Sequence, residues 1–254
     1  MIKVVVPISG GKDSQACLKL ALESYDKSEV MGLFCDTQFE HPLTYAHIDN
    51  MREMYGVKIE RITAGSVPGQ VLKIKRFPSS VARFCTDRLK LVPSKIFYKE
   101  LAINQQSGFS VWLGMRANES KARSKRYKEI ICTDEYPPHE VLRQMPKYLC
   151  KLGVSFRLPI LEWSFIDVID YLNGQENPLY KQGHDRVGCF PCLASSDTKK
   201  ERDFNHDDFG REQRVIVAEL EKKIGRSIWT SKGGAMRNNE HQDDIFTGCA
   251  ICAI

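Results

Sequence analysis

Apolar and polar positions along this chain follow two periods, and the switching between them predicts an α/β protein. Val4-Val5-Val6-Pro7-Ile8 is an unbroken apolar run, largely β-branched, as expected of a strand buried on both faces. Residues 14–24 carry Cys17, Leu18, Leu20, Ala21 and Leu22, a helical stripe that packs back on a sheet. A second apolar run, 30–35, ends in Cys35-Asp36-Thr37; residues 42–55 read as a helix and 57–62 as a third strand. Residues 111–116 read as a fourth strand with Gly114 near its end. Thr86 or Asp87 suits the cap of a helix starting there, and Ser164 the cap of one reaching Leu172. Residues 128–153, with Pro137-Pro138, show no period, and His139 and Cys150 within them read as structural. Strand and helix alternate, which implies a doubly wound, mostly parallel sheet with right-handed crossovers. The expected organisation is an α/β nucleotide-binding domain over 1–175 and a Cys-rich segment over 176–254 packed on it.

Between the first strand and the first helix lies Ser9-Gly10-Gly11-Lys12-Asp13-Ser14. Glycines let backbone N–H groups approach a phosphate, and a helix N-terminus adds positive potential. Lys12 brings a full charge, and Ser9 and Ser14 bring hydroxyl donors. A Walker A loop is excluded, because Val6 stands where its first glycine belongs and Asp13 follows the lysine. The adjacent glycines also exclude the G-x-G-x-x-G dinucleotide pattern.

Further stretches carry chemistry. Asp36, at the end of the second strand, is placed either to meet a ribose or adenine or to cap the segment after it. Cys85, among Arg83, Arg88 and Lys90, would precede a helix N-terminus, where thiolate is favoured. Arg116, Lys121, Arg123, Lys125 and Arg126 form a mobile basic loop at the strand ends, with Arg116 and Arg123 the better bidentate anion ligands. Two C-x-x-C pairs, Cys189/Cys192 and Cys249/Cys252, lack the strand-then-helix setting of a thioredoxin-type pair and point to shared metal or cluster binding.

Composition narrows the setting. The 254 residues carry a formal charge of +5, which permits nucleotide or nucleic-acid substrates without requiring either. No apolar run approaches the roughly 20 residues of a membrane span, and no basic region precedes an apolar one at the start. A cytoplasmic, membrane-free protein is expected. Nine cysteines, an odd number, argue against a closed disulfide framework.

With these residues assembled, the chain resembles the phosphoadenosine phosphosulfate (PAPS) reductase family, within the PP-loop ATP pyrophosphatase or adenine-nucleotide α-hydrolase-like group (HUP/Rossmann-like). The resemblance spans about residues 1–195 and rests on five ordered elements. They are the loop at 9–14, Cys35-Asp36-Thr37, the run from Cys85 to Pro93, Gly114-Met115-Arg116-Ala117-Asn118-Glu119-Ser120, and Pro159 through Asn177-Pro178-Leu179-Tyr180 to Gly188-Cys189-Phe190-Pro191-Cys192. Sulfonucleotide reductases of the family have a degenerate first loop, whereas this chain keeps Gly10-Gly11-Lys12-Asp13. Cluster-bearing reductases have a double Cys where Cys85 stands alone, and their C-terminal Glu-Cys-Gly motif is replaced here by Gly248-Cys249-Ala250-Ile251-Cys252. These departures favour an ATP-using relative, similar to the ATP pyrophosphatase subunit of DNA phosphorothioation systems or to tRNA thiolases.

The resemblance implies ATP with its pyrophosphate on Gly10, Gly11 and Lys12, Ser9 and Ser14 donating, and Asp13 helping to hold Mg²⁺. Asp36, Gly114, Arg116 and Arg123 complete the nucleotide site; Lys12, Asp13 and Arg116 are the catalytic candidates. Cys85, Cys189, Cys192 and one or both of Cys249 and Cys252 would hold a 4Fe-4S cluster, with Zn²⁺ as the alternative. The implied partners are an adenine nucleotide, a sulfur donor protein such as a cysteine desulfurase, a nucleic-acid substrate and a second copy in a homodimer. The other readings are a PAPS or adenosine phosphosulfate reductase forming sulfite, and a non-catalytic nucleotide-binding module with structural zinc.

Overall fold

Val4–Ile8 forms β1, and every one of its residues is buried. A five-residue apolar run with helices on both sides can satisfy its backbone only inside a sheet, and β1 takes the central place. The computed structural model describes residues 1–79 and 81–229, so Cys249 and Cys252 lie outside the described residues. α1 (Lys12–Ser24) leads to β2 (Val30–Asp36), and α2 (Pro42–Tyr55) leads to β3 (Lys58–Thr63). Next come α3 (Val67–Ile74), a single turn α4 (Phe84–Thr86), a wide π-type turn over Asp87–Leu91, α5 (Val92–Gln105) and β4 (Phe109–Trp112). A 3-10 turn at Ala117–Glu119 precedes α6 (Lys121–Arg126), α7 (Pro138–Val141), α8 (Tyr148–Lys151) and β5 (Val154–Arg157). α9 (Phe165–Leu172), α10 (Pro178–Lys181), α11 (Asp197–Phe204) and α12 (Asp208–Ile224) complete the described chain.

The sheet is parallel throughout, with order β3-β2-β1-β4-β5. Alternation along β1 divides the core. Val5 joins Leu33, Tyr98, Ala102, Val111 and Phe156 on one face. Val4, Val6 and Ile8 join Cys17, Leu18 and Ala21 of α1, Met51 of α2 and Leu172 of α9 on the other. A third cluster fastens the later helices down, with Phe204, Val217 and Leu220 against Val67 and Val71 of α3 and Leu89 of the π-type turn. The chain moves outward from β1 to β3 and then returns to the other side at β4. That reversal opens a crevice at the carboxyl ends of β1 and β4, the usual ligand position of such sheets. Among the described residues no helix is long and apolar enough to cross a membrane.

Several sequence expectations are corrected. The fourth strand ends at Trp112, four residues short of Arg116 as expected from the apolar run, and the backbone turns at once: the Met115 amide donates to the Leu113 carbonyl at 2.8 Å. Gly114 allows this turn to press on the start of α1, since a Cβ there would lie 2.8 Å from backbone atoms of Asp13 and Ser14. The basic stretch read as a mobile loop is the 3-10 turn and α6, with Ser120 capping the Arg123 amide. Cys85 lies inside the turn α4, and neither Thr86 nor Asp87 caps a helix. β5 (Val154–Arg157) begins directly after the stretch read as irregular. Its buried Val154 and Phe156 alternate with half-buried Ser155 and Arg157, but four residues are too few for the period to stand out.

Candidate active site

The loop after β1 is shaped by its glycines. Gly10 has φ +76°, and a Cβ on it would come within 2.4 Å of Thr44 Cγ2. The two hydroxyls of the loop are tied into its own backbone. Ser14 Oγ donates to the Gly11 carbonyl at 2.8 Å and accepts from the Ser9 amide at 3.2 Å, and Ser9 Oγ accepts from the Gly11 amide at 3.3 Å. The Lys12 amide, first of α1, donates to the hydroxyl of Tyr180 at 3.2 Å.

Lys12 is almost fully buried. Its Nζ contacts Asp13 Oδ2 at 2.8 Å and lies over the Phe165 ring at 4.7 Å. Burial lowers its ammonium pKa, partly offset by Asp13. Asp13 Oδ1 in turn accepts from Arg116 Nε at 2.6 Å, so both oxygens of the residue proposed for Mg²⁺ are engaged by cations. The Arg116 amide donates to Glu119, whose carboxylate also receives Arg123. Arg116 and Arg123 are buried and inward-facing, not parts of a solvated face.

These groups line a cavity of about 300 Å³, at the lower end of the range for small-molecule sites. Ser9, Gly11, Lys12, Asp13 and Ser14 form one side with Gly114, Arg116 and Arg123; Cys85, Cys189 and Cys192 lie on the same lining. Eight lysines or arginines and four carboxylates line it, a balance that favours a polyanion. Two residues expected at the nucleotide, Gly10 in the loop and Asp36 on the neighbouring strand, do not line the cavity.

Asp36 accepts from Arg61 Nη2 at 2.7 Å, from the Tyr45 hydroxyl at 2.8 Å and from the Gln38 amide at 2.8 Å. Burial alone would raise its carboxyl; the Arg61 ion pair and the other two bonds outweigh burial and hold it below the usual range. A depressed folded-state pKa stabilises above the unfolded value and is lost as pH falls through the folded one. The Asp36→Asn protein is therefore expected to lose less stability than the parent on acidification below about pH 4. Denaturant melts at stepped pH check this; parallel acid limbs would contradict it.

The thiols stand in a mixed environment. Cys189 Sγ lies 3.3 Å from Thr37 Oγ1 and 3.8 Å from Glu40 Oε1. Burial, then the Glu40 carboxylate, pushes its thiol well above its ordinary pKa. Cys189 and Cys192 are not bridged to each other. Cys85, Cys189 and Cys192 share the cavity lining, the thiolate chemistry a cluster would need, while among the described residues the group close enough to share a single ion is His41, His206 and Asp207. Behind this loop, His41, His184 and His206 pack around Phe190. His41 accepts the Leu43 amide on Nδ1, which leaves its proton on Nε2 to meet Asp207 at 2.8 Å.

Sequence reasoning missed Thr37 and Glu40 beside Cys189, and Lys199 and Arg202 on the cavity lining. Thr37 follows Asp36 at a strand end, and that position was its one available signal. Tyr180 was noticed only as part of a motif. Lys199 and Arg202 read as an ordinary helical surface, and nothing local marks them.

A parallel five-stranded sheet with an SGGKDS loop after its central strand and a basic turn after the next defines a Rossmann-like α/β protein of the PP-loop kind. Residues 3–195 match the phosphoadenosine phosphosulfate reductase domain, and the chain belongs to that family. An uncharacterised protein of Methanocaldococcus jannaschii is 31% identical over 194 residues, which are 75% of this chain and 36% of that protein. The adenosine 5'-phosphosulfate reductase of Rhodococcus erythropolis is 26% identical over 168 residues, 64% of this chain and 58% of the relative. The chain thus spans between about a third and three fifths of the length of these two relatives. The PAPS reductase of Candida auris, solved as a phosphate complex, is similar at 16% identity and a TM-score of 0.49, over 75% of this chain and 82% of that one.

Proposed function

We propose that this chain binds ATP and cleaves it to AMP and pyrophosphate, adenylating an acceptor oxygen for sulfur transfer. The observation that carries this reading is the intact loop, whose Ser9, Gly11, Lys12, Asp13 and Ser14 line a cavity that three thiols also line. The β,γ-phosphates would rest on the loop, with Lys12, Arg116 and Arg123 offsetting their charge. An acceptor oxygen forms a bond to the α-phosphorus as the bond from that phosphorus to the bridging oxygen breaks, and pyrophosphate leaves with the electron pair. Prearranged donors stabilise that leaving charge. A sulfur nucleophile then bonds to the activated carbon, and AMP departs with its oxygen. Cys85, Cys189 and Cys192 would hold a cluster with a C-terminal cysteine; when bound, it would carry or position sulfur.

Similarity to the Rhodococcus reductase supports a second reading, reduction of a sulfonucleotide to sulfite. The two are separable without knowing the acceptor. In equilibrium competition, ATP and inorganic pyrophosphate should displace each other from one site, with PAPS at least about tenfold weaker. Tighter binding of PAPS, with sulfite released in the presence of thioredoxin, would replace the first reading by the second.

A further inference from the structure

The first amides of a helix have no partners within it, and in a PP-loop they face the phosphate. Here the Lys12 amide already has an acceptor, the Tyr180 hydroxyl, 3.2 Å away and 168 residues along the chain. That oxygen stands at hydrogen-bond distance from the donor, where an anion oxygen would have to stand. Its arrival there is built into the fold. Asn177 Nδ2 donates to the Gly10 carbonyl at 3.1 Å, while Asn177 Oδ1 accepts from the Leu179 amide at 3.0 Å and starts α10. α10 is thereby pinned to the loop from both sides, by a carbonyl at Gly10 and an amide at Lys12. A Cβ on Gly11 would lie 3.1 Å from the Tyr180 hydroxyl and 3.6 Å from the Val187 carbonyl, so glycine at 11 makes room for this strap.

We infer that the Tyr180 hydroxyl is an internal stand-in for a phosphate oxygen: it holds the Lys12 amide until a pyrophosphate group takes it, and reclaims it when pyrophosphate departs. The inference rests on the loop being a pyrophosphate site and adds a residue that sets its occupancy. Two oxygens cannot occupy one acceptor position. Binding the anion therefore costs the strap its hydrogen bond, and releasing the anion regains it. The strap continues into the 189–192 loop, which carries two of the cavity's thiols.

The test is the affinity of the full chain for inorganic pyrophosphate, with and without the hydroxyl. Tyr180→Phe keeps the ring beside Lys12, 5.7 Å from Nζ, and removes only the competitor. The variant is expected to bind pyrophosphate about fivefold more tightly, chiefly through slower release, the equivalent of one net hydrogen bond. It should also unfold at a slightly lower temperature in the absence of ligand. A hydroxyl with only a structural role would lower stability and leave affinity unchanged or weaker; that result overturns the inference. Parent protein that binds pyrophosphate with no tightening in the variant overturns the stand-in alone. Parent protein that does not bind pyrophosphate removes both this inference and the pyrophosphate site beneath it.

Discussion

On the proposed reading, replacing Lys12 with alanine is expected to lower pyrophosphate release from ATP by about 10²–10³-fold, the usual cost of removing one donor aimed at developing charge in a water-poor site. Lys12 is 2% exposed and borders the first amides of α1, so no solvent molecule replaces its charge at equal strength. The fold should survive the change. Asp13, its ion-pair partner, keeps Arg116 at 2.6 Å, and no unpaired carboxylate is left. The measurement is initial pyrophosphate release, accompanied by a thermal melt. Release at the parental rate from a folded variant would show that Lys12 takes no part in the chemistry and would overturn its catalytic role.

On the proposed reading, replacing Cys189 with serine is expected to remove bound metal while leaving pyrophosphate affinity within about twofold, because thiolates would hold the metal and the loop the anion. The expected parent, purified without oxygen, contains iron and sulfide and absorbs in the visible; the variant is colourless. Cys17→Ser is the control, since Cys17 is buried in the core of α1 away from the cavity lining. Zinc without iron in the parent would change the identity of the group and not its ligands. Full metal retention in Cys189→Ser would remove Cys189 from the ligand set.

Much of the architecture was legible from local pattern. The central strand, α2 and α9 were readable because each has enough residues to display its period and a cap or turn to bound it. His41 before Pro42 and Ser164 before Phe165 do that bounding. β4 was placed too far along, because Val111-Trp112-Leu113 continues apolar beyond the sheet; the backbone leaves at Leu113 to press Gly114 against α1. β5 was missed because two buried residues in four leave no measurable period. In the site, Lys12 and Arg116 were found by residue type and spacing. Asp36 was correctly recognised as a carboxylate at a strand end, but its partner Arg61 sits on β3, and only strand pairing brings the two together.

The division follows from the range of the forces involved. The sequence alone determined the strand, glycine loop and helix start at residues 4–14. Backbone sterics, glycine freedom and helix periodicity act over a few residues and need no distant partner. It also determined that four of the nine cysteines fall in two C-x-x-C pairs and that the loop is neither a Walker A nor a dinucleotide loop. The tertiary structure decided which groups meet. Lys12 finds Tyr180 across 168 residues, Asp13 finds Arg116 across 103, and Thr37 finds Cys189 across 152. These meetings depend on strand order and on which faces the helices bury, and both are settled by burying the apolar surface of the whole chain at once. The loop read locally as an open anion cradle is therefore, in the folded chain, a cradle held by a tyrosine from its far end.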